Sequence, residues 1–328
     1  MLDTSPVSCS SLGKYFHVNG KLLEEQYATH LSDFRSWDQL DHAQDWILYP
    51  DNMGPYLSID ETSVSQGELY TVITNKEGKG RKGCLVAMIK GVESQKVIEI
   101  LRKMPLRLRK SVREVTLDMA GSMEKIVRSS FPKASLVTDR FHVQQLASDA
   151  VQEMRIAYRW QAIEQENKEI ELSKELGKSH KPEVLPNGDT LRQLLARSRY
   201  LLFKSQEKWS PSQWARAELL FNRYPDLEKA YKLSRALSEV YQNTREKGVA
   251  FTKLAQWYNQ VEKAGFKSFN VIARTISNHY QTILNYFDRR STNASAESFN
   301  AKIKAFRSQF RGVRNVKFFL FRLANIYA

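Results

Sequence analysis

Three stretches of the chain carry acid where an element ends or begins. "YLSID" runs from Tyr56 to Asp60, and Glu61 follows at once; Asp118 closes "EVTLD"; Glu297 stands in "STNASAESFN", in the first turns of a late helix. Taken singly, each has an ordinary explanation. A strand can end in solvated carboxylates, Asp118 can cap the helix after it, and Glu297 complements the positive end of a helix dipole. Together they imply more. Three carboxylates in one place repel one another unless a cation sits among them. Hard oxygen ligands with spare positions suit Mg2+ or Mn2+. Two such ions, about 3.5–4 Å apart, clamp the attacking and leaving oxygens of an in-line phosphoryl transfer. That chemistry calls for a polyanionic substrate.

The charge balance agrees. The chain has 328 residues, with 50 Lys and Arg against 36 Asp and Glu, a net charge of +14. Residues 1–61 hold ten acids and three bases, so the remainder carries 47 bases and 26 acids. A surplus of that size points to nucleic acid or an anionic membrane, with plain solubility as the bland alternative. From Leu101 to Arg113, "LRKMPLRLRKSVR" has six bases, Arg107, Arg109 and Lys110 among them, and no acid. Beyond Glu297 the chain has Lys304, Arg307, Arg311 and four other bases, again with no acid. Lys304 lies two helical turns from Glu297 on the same face and is placed to touch a phosphate. The alternative for both runs is a solvated basic face whose aliphatic stems cover apolar surface.

No apolar run is long enough to span a bilayer, and the N-terminus lacks the basic start and apolar middle of a signal peptide. Two cysteines, Cys9 and Cys84, are too few for a disulfide framework or a Cys-x-x-Cys zinc ribbon. A cytoplasmic protein is expected.

The elements that must position the acids follow from periodicity. Residues 1–52 read as a partly helical segment; a helix-turn-helix is conceivable there, but its acidity suits DNA poorly. "YLSID", "ELYTVIT" and "GCLVAMIKG" are short β-rich runs that read as strands, separated by the turn-like "ETSVSQG" and "NKEGKGRKG". Then come a basic helix, the strand "VREVTLDM", the helix "GSMEKIVRSSF", the strand "ASLVTD" and a long helix beginning "RFHVQQL". The order βββαβαβ-α predicts an α/β fold, a mixed sheet with helices on its faces. In the ribonuclease H arrangement the first and fourth strands are neighbours, so their C-terminal ends bring Asp60 and Asp118 close. Residues 143–290 read as all helical, with the charged connector "ENKEIELSKELGKSHKPEVLPNGD" inside them. Residues 291–328 start a new helix, with Ser291, Thr292 and Asn293 as possible caps.

Several stretches, in order, resemble one known family: "SIDETS", "VTLDMAGSM", "FPKASLVTDRFHV", "LLFKSQEKW", "LLFNRYPDLEKAYKL" and "ILNYFDRRSTNASAESFNAKIKAFRSQFRGVRN". The chain is similar to the DDE transposases of bacterial insertion sequences, in their ISL-type branch. Each motif is weak; the ordered set, from about residue 56 to 325, is strong. The resemblance implies a ribonuclease H-like core (53–142 and 291–328) interrupted by a helical insertion (143–290). It implies an enzyme that cuts transposon ends and joins them to target DNA by phosphodiester hydrolysis and transesterification. It implies Asp60, Asp118 and Glu297 as catalytic and metal-binding residues for two Mg2+ or Mn2+ ions.

Asp139 also ends a strand and could take the second place on spacing alone; strand order favours Asp118. Asp139 and His142 match an Asp-x-x-His element that supports the site in related transposases, the bland reading being a capping Asp and a core His. No second His or Cys stands near His142 to make a zinc site. Trp160, Trp209, Trp214 and Trp257 are candidates for stacking on an unpaired base, with burial in the core the commoner fate of a single Trp. The partners implied are double-stranded DNA, as terminal repeats and target, and further copies of the chain. Larger members of the branch carry an N-terminal zinc and helix-turn-helix region without a counterpart here, so a separately encoded DNA-reading partner is expected. The alternative is a catalytically inactive DNA-binding or assembly protein of the same descent.

Overall fold

A computed structural model describes residues 1–65, 67–310 and 312–328. The chain forms two compact units, Met1–Asp139 with Arg289–Ala328, and Arg140–Asp288.

The first unit opens with α1 (Cys9–Phe16) and α2 (Gly20–Gln26). Its described residues then build a six-stranded sheet from β1 (Trp46–Leu48), β2 (Tyr56–Ser65), β3 (Glu68–Asn75), β4 (Leu85–Lys90), β5 (Glu114–Leu117) and β6 (Ser135–Thr138), ordered β1-β4-β3-β2-β5-β6. The hairpin strands β2, β3 and β4 pair antiparallel, whereas β5 and β6 add in parallel beyond β2. The crossover helices are α3 (Ser94–Leu101) with α4 (Leu106–Ser111), and α5 (Gly121–Ser130). This is the mixed sheet expected from the element order.

Two details depart from the sequence reading. The acidic N-terminal stretch reads as partly helical with no strand picked out in it, yet Trp46–Leu48 pairs with β4 at the sheet edge. Three residues are too few for alternation to register. In addition, β2 does not stop at Asp60. Thr62 and Val64 continue the alternation, and pairing with β3 persists to Ser65 opposite Glu68. Asp60 therefore lies inside a strand.

The alternation in β2 sorts its residues between the two faces of the sheet. Leu57 and Ile59 join one core with Val97 and Ile98 of α3 and Met123 and Ile126 of α5. Val64 joins a second core with Phe299, Ile303 and Phe306 of α14 (Ala294–Ser308) and Phe319 of α15 (Val316–Tyr327). Each such fully buried side chain contributes roughly 1.5–3 kcal/mol. Ser58, Asp60 and Thr62 thus face α14.

The basic residues of the last segment are largely spent inside this unit. Arg322 is fully buried and donates to the carbonyls of Leu2 at 2.8 Å, Val7 at 3.0 Å and Ser5 at 3.4 Å, so it ties down the N-terminal segment. Lys302 donates to Gly80 O at 2.6 Å, and Lys317 to Asp41 O at 3.2 Å. Both cysteines are free and buried.

The second unit begins with α6 (Arg140–Glu175). The expected connector starts later than the sequence suggested, because nothing breaks the helix before Gly177, which takes φ 65°. The helices α7 (Leu191–Arg197), α8 (Pro211–Arg223), α9 (Pro225–Asn243), α10 (Lys247–Ala264), α11 (Lys267–Asn278), α12 (Tyr280–Leu284) and α13 (Tyr286–Arg289) complete the run. Trp209 and Trp257 are core residues whose indole N–H groups donate to Leu201 O at 2.8 Å and Leu233 O at 2.9 Å. Trp160 and Trp214 are exposed. Among the described residues no helix is long and apolar enough to cross a membrane.

Candidate active site

The parallel register brings three carboxylates to one level of the sheet. Ser58 pairs with Thr116, and Thr116 with Val137. Two residues further along each chain stand Asp60, Asp118 and Asp139. The β2–β5 pairing ends at Ser58 opposite Thr116 and β5 ends at Leu117, so Asp60 and Asp118 lie just past the paired stretch of neighbouring strands.

The three acids differ in setting. Asp60 is half-buried and held at both oxygens. Its Oδ1 accepts from the Glu61 N–H at 2.8 Å, and its Oδ2 from Asn300 Nδ2 on α14, also at 2.8 Å. Asp118 is half-buried too; its Oδ1 accepts from the Ala120 N–H at 2.8 Å and turns the chain into α5. Asp139 is fully buried and accepts from the Asn293 N–H at 3.3 Å. Asn293 is the N-cap residue of α14, so Asp139 fixes where that helix begins. The chain bends into this start at Arg290, with φ 55°.

Glu297 lies in the first turn of α14 and is exposed. Asn300, one turn on, is 8% exposed and also donates to Glu61 O at 3.2 Å. Glu61 stands among like charges. Burial foremost, then Asp118 and Asp60, pushes its carboxyl above the usual range. Beneath this row Lys76 contacts Thr116 Oγ1 and pairs with Glu114 at 3.2 Å. Burial lowers its ammonium pKa, outweighing the opposing pull of Glu114 and Asp139.

The donor set is all oxygen and crowded with negative charge, which in kind fits a hard divalent cation. Among the described residues, no group of three His, Cys, Asp or Glu side chains is gathered closely enough to hold one. Asp60 and Asp118 meet on neighbouring strands, and Glu297 is on the helix that covers Asp60. His142 is in α6 of the other unit.

The sequence model of the ISL3-type DDE transposases matches residues 57–323. The chain belongs to this transposase family. The match begins at the second residue of β2 and ends inside α15, and so takes in both units. No curated protein and no solved structure matches the chain. Membership makes the protein a transposase, acting in DNA transposition and recombination of insertion sequences.

The expected DNA contacts of this transposase divide by exposure. Arg107, Lys110 and Lys304 are exposed. Arg109 is a correction to the sequence reading: it is 8% exposed, and donates to Met104 O at 3.1 Å and Ser130 O at 2.8 Å. Burial also lowers its pKa. Helical periodicity turns this one base of α4 inward, where it holds α4 to α5. Arg307 is half-buried and donates to Ser63 O at 2.8 Å, pinning α14 to β2. Arg311 lies outside the described residues. Arg109→Met should therefore lower stability by about 1–3 kcal/mol, the cost of two orphaned carbonyls, and leave DNA affinity unchanged. Thermal melting and a DNA titration on the same preparation check both halves.

Asn300 and Lys76 escaped the sequence reading. A polar residue three positions after Glu297 shares its helix face, which was a usable signal for Asn300. Lys76 sits in a Gly-rich turn whose composition predicts exposure, so nothing marked it.

Proposed function

We propose that this transposase cleaves the ends of its element and joins them to target DNA at a divalent-metal site made by Asp60, Asp118 and Glu297 on a ribonuclease H-like fold. The observation that carries the reading is the meeting of Asp60 and Asp118 on neighbouring parallel strands in a chain of this family. The strand order, with the antiparallel hairpin strands on one side of β2 and two parallel strands on the other, supports the fold assignment.

In this reading Asp60 and Asp118 hold the cation from the sheet and Glu297 closes on it from α14. Bound Mg2+ or Mn2+, two ions at full occupancy, supplies activation of the attacking oxygen and stabilises charge on the phosphate. Asp139 supports the site through Asn293 and the start of α14, with His142 as a further supporting residue. Lys304, two turns beyond Glu297, binds a phosphate of the DNA, and Arg107 and Lys110 extend the basic surface. The partners are double-stranded DNA, other copies of the chain on paired ends, and a separately encoded DNA-reading protein. The work is done in the bacterial cytoplasm, at the nucleoid.

The deciding experiment is Mn2+-dependent cleavage of supercoiled DNA carrying the element's ends, with the DNA-reading partner supplied. Cleavage that needs the metal supports the reading. Binding without cleavage in any metal would favour the inactive DNA-binding or assembly protein. Lys304→Ala should weaken binding of all sequences alike and reduce the slope of log affinity against log salt by about 1; an unchanged slope would remove Lys304 from the DNA surface.

A further inference from the structure

On α14, Glu297 and Asn300 stand one turn apart on the same face. We propose that Asn300 is a positioning residue for the Asp60 carboxylate, an assignment that rests on the metal-site reading above.

The geometry fixes which way the amide points. Both groups facing the Asn300 side chain, Asp60 Oδ2 at 2.8 Å and Glu61 O at 3.2 Å, can only accept, so the NH2 must face them. Asp60 Oδ1 is meanwhile held by the Glu61 N–H at 2.8 Å. The carboxylate is thus gripped at both oxygens by donors from two different elements, and its torsion is set. A carboxylate offers about four lone-pair directions. These two bonds each take one direction, on a different oxygen.

Two further features separate this from ordinary packing. Asn300 is 8% exposed, and its Oδ1 is buried with no partner among the described residues. A buried, unpaired amide oxygen costs free energy that an apolar side chain of similar volume would not. Stability alone does not account for asparagine here; the donor does. The donor is also neutral. A lysine in its place would hold Asp60 and cancel the charge that a cation needs. Because Asn300 is fixed to Asp60 and Glu61, it also sets the height of α14 along β2, and with it the approach of Glu297.

The test is Mn2+ binding to the full chain, followed by the loss of the free-ion electron paramagnetic resonance signal, alongside thermal melting. The proteins are wild type, Asn300→Leu, Asn300→Ala and Asp60→Ala. Asn300→Leu is expected to bind Mn2+ about 10–100-fold more weakly, the usual effect of removing a group that orients a metal ligand, while melting no earlier than wild type. Asn300→Ala removes atoms and adds none, so it decides the matter if leucine does not fit. Wild-type Mn2+ affinity in both variants, with Asp60→Ala impaired, would overturn the role of Asn300 and leave the metal site standing. Early melting of both would make Asn300 a structural residue and overturn it as well. Wild-type affinity in Asp60→Ala would remove the metal site, and this inference with it.

Discussion

Asp60→Ala, Asp118→Ala and Glu297→Ala are each expected to cut Mn2+-dependent cleavage of end-bearing supercoiled DNA by on the order of a thousandfold. A metal centre contributes several kcal/mol to a phosphoryl-transfer transition state, and each 1.4 kcal/mol, roughly, is tenfold in rate. Asp139→Ala is expected to behave differently. Asp139 is sealed in the protein, bonded to the Asn293 N–H and near enough to Lys76 for its charge to oppose, in part, the lowering of the lysine's pKa by burial. Removing it loosens the start of α14 and leaves Lys76 short of one counter-charge. The expected result is a loss of about 10–100-fold, the range for a group acting through a ligand, together with earlier melting. Glu297→Ala should keep its melting temperature, because Glu297 is exposed. Asp60→Ala and Asp118→Ala set the relief of crowded like charge against the loss of the Asn300 and Ala120 hydrogen bonds, and should melt within a few degrees of wild type. Cleavage that survives Asp118→Ala but not Asp139→Ala would move the second metal ligand from β5 to β6.

The contrast between Asp118 and Asp139 shows what could be read from the chain. Short β-rich runs and turn residues were enough to find the strands from β2 onward, and the ribonuclease H arrangement of such a βββαβ order makes the first and fourth strands neighbours. That put Asp118 beside Asp60. Burial did not follow from the same signals. Asp139 and Asp118 end similar strands in similar words, yet one is fully buried against the start of α14 and the other is half-buried; the contact that encloses Asp139 comes from Asn293, 154 residues away in sequence. The basic runs teach the same point. "LRKMPLRLRKSVR" reads as one surface, but helical geometry turns Arg109 inward while Arg107 and Lys110 stay out. Beyond Glu297, Arg322 looks like any other base of a DNA-binding tail, and its fully buried place among three N-terminal carbonyls depends on a segment at the far end of the chain. Charge counts report how many cations a chain has. Only packing decides which of them remain to meet a polyanion.

The helical unit has its own buried charge, in the stretch that composition marks as a charged connector. Asp189 is 1% exposed, and its carboxylate pairs with Arg197 through Oδ1 and with Arg216 at 2.9 Å through Oδ2. Asn187 Nδ2 adds a third bond, at 3.0 Å. Burial raises the Asp189 pKa, but the hydrogen bonds and charges of Arg216 and Arg197 outweigh it and hold the carboxyl below the ordinary aspartate range. The carboxylate thus ties the connector to the last residue of α7 and to the middle of α8. Asp189→Asn keeps the shape and removes the charge. It is expected to cost about 3 kcal/mol, the lower end for breaking a buried pair, because Arg197 is 55% exposed on its side chain and can turn to water. Hydrogen exchange of the amides from Leu185 to Arg197 should report the loss locally, while amides of the sheet in the other unit stay protected. The pH dependence has a definite sign. A carboxyl with a depressed folded pKa contributes stability that is fully present above the unfolded value and is lost as pH falls through the folded one. The gap between wild type and Asp189→Asn should therefore be constant near neutrality and close as pH drops through and below the usual aspartate range. A gap independent of pH would mean that Asp189 acts by shape and hydrogen bonding alone, and that its two arginines contribute no charge stabilisation to the fold.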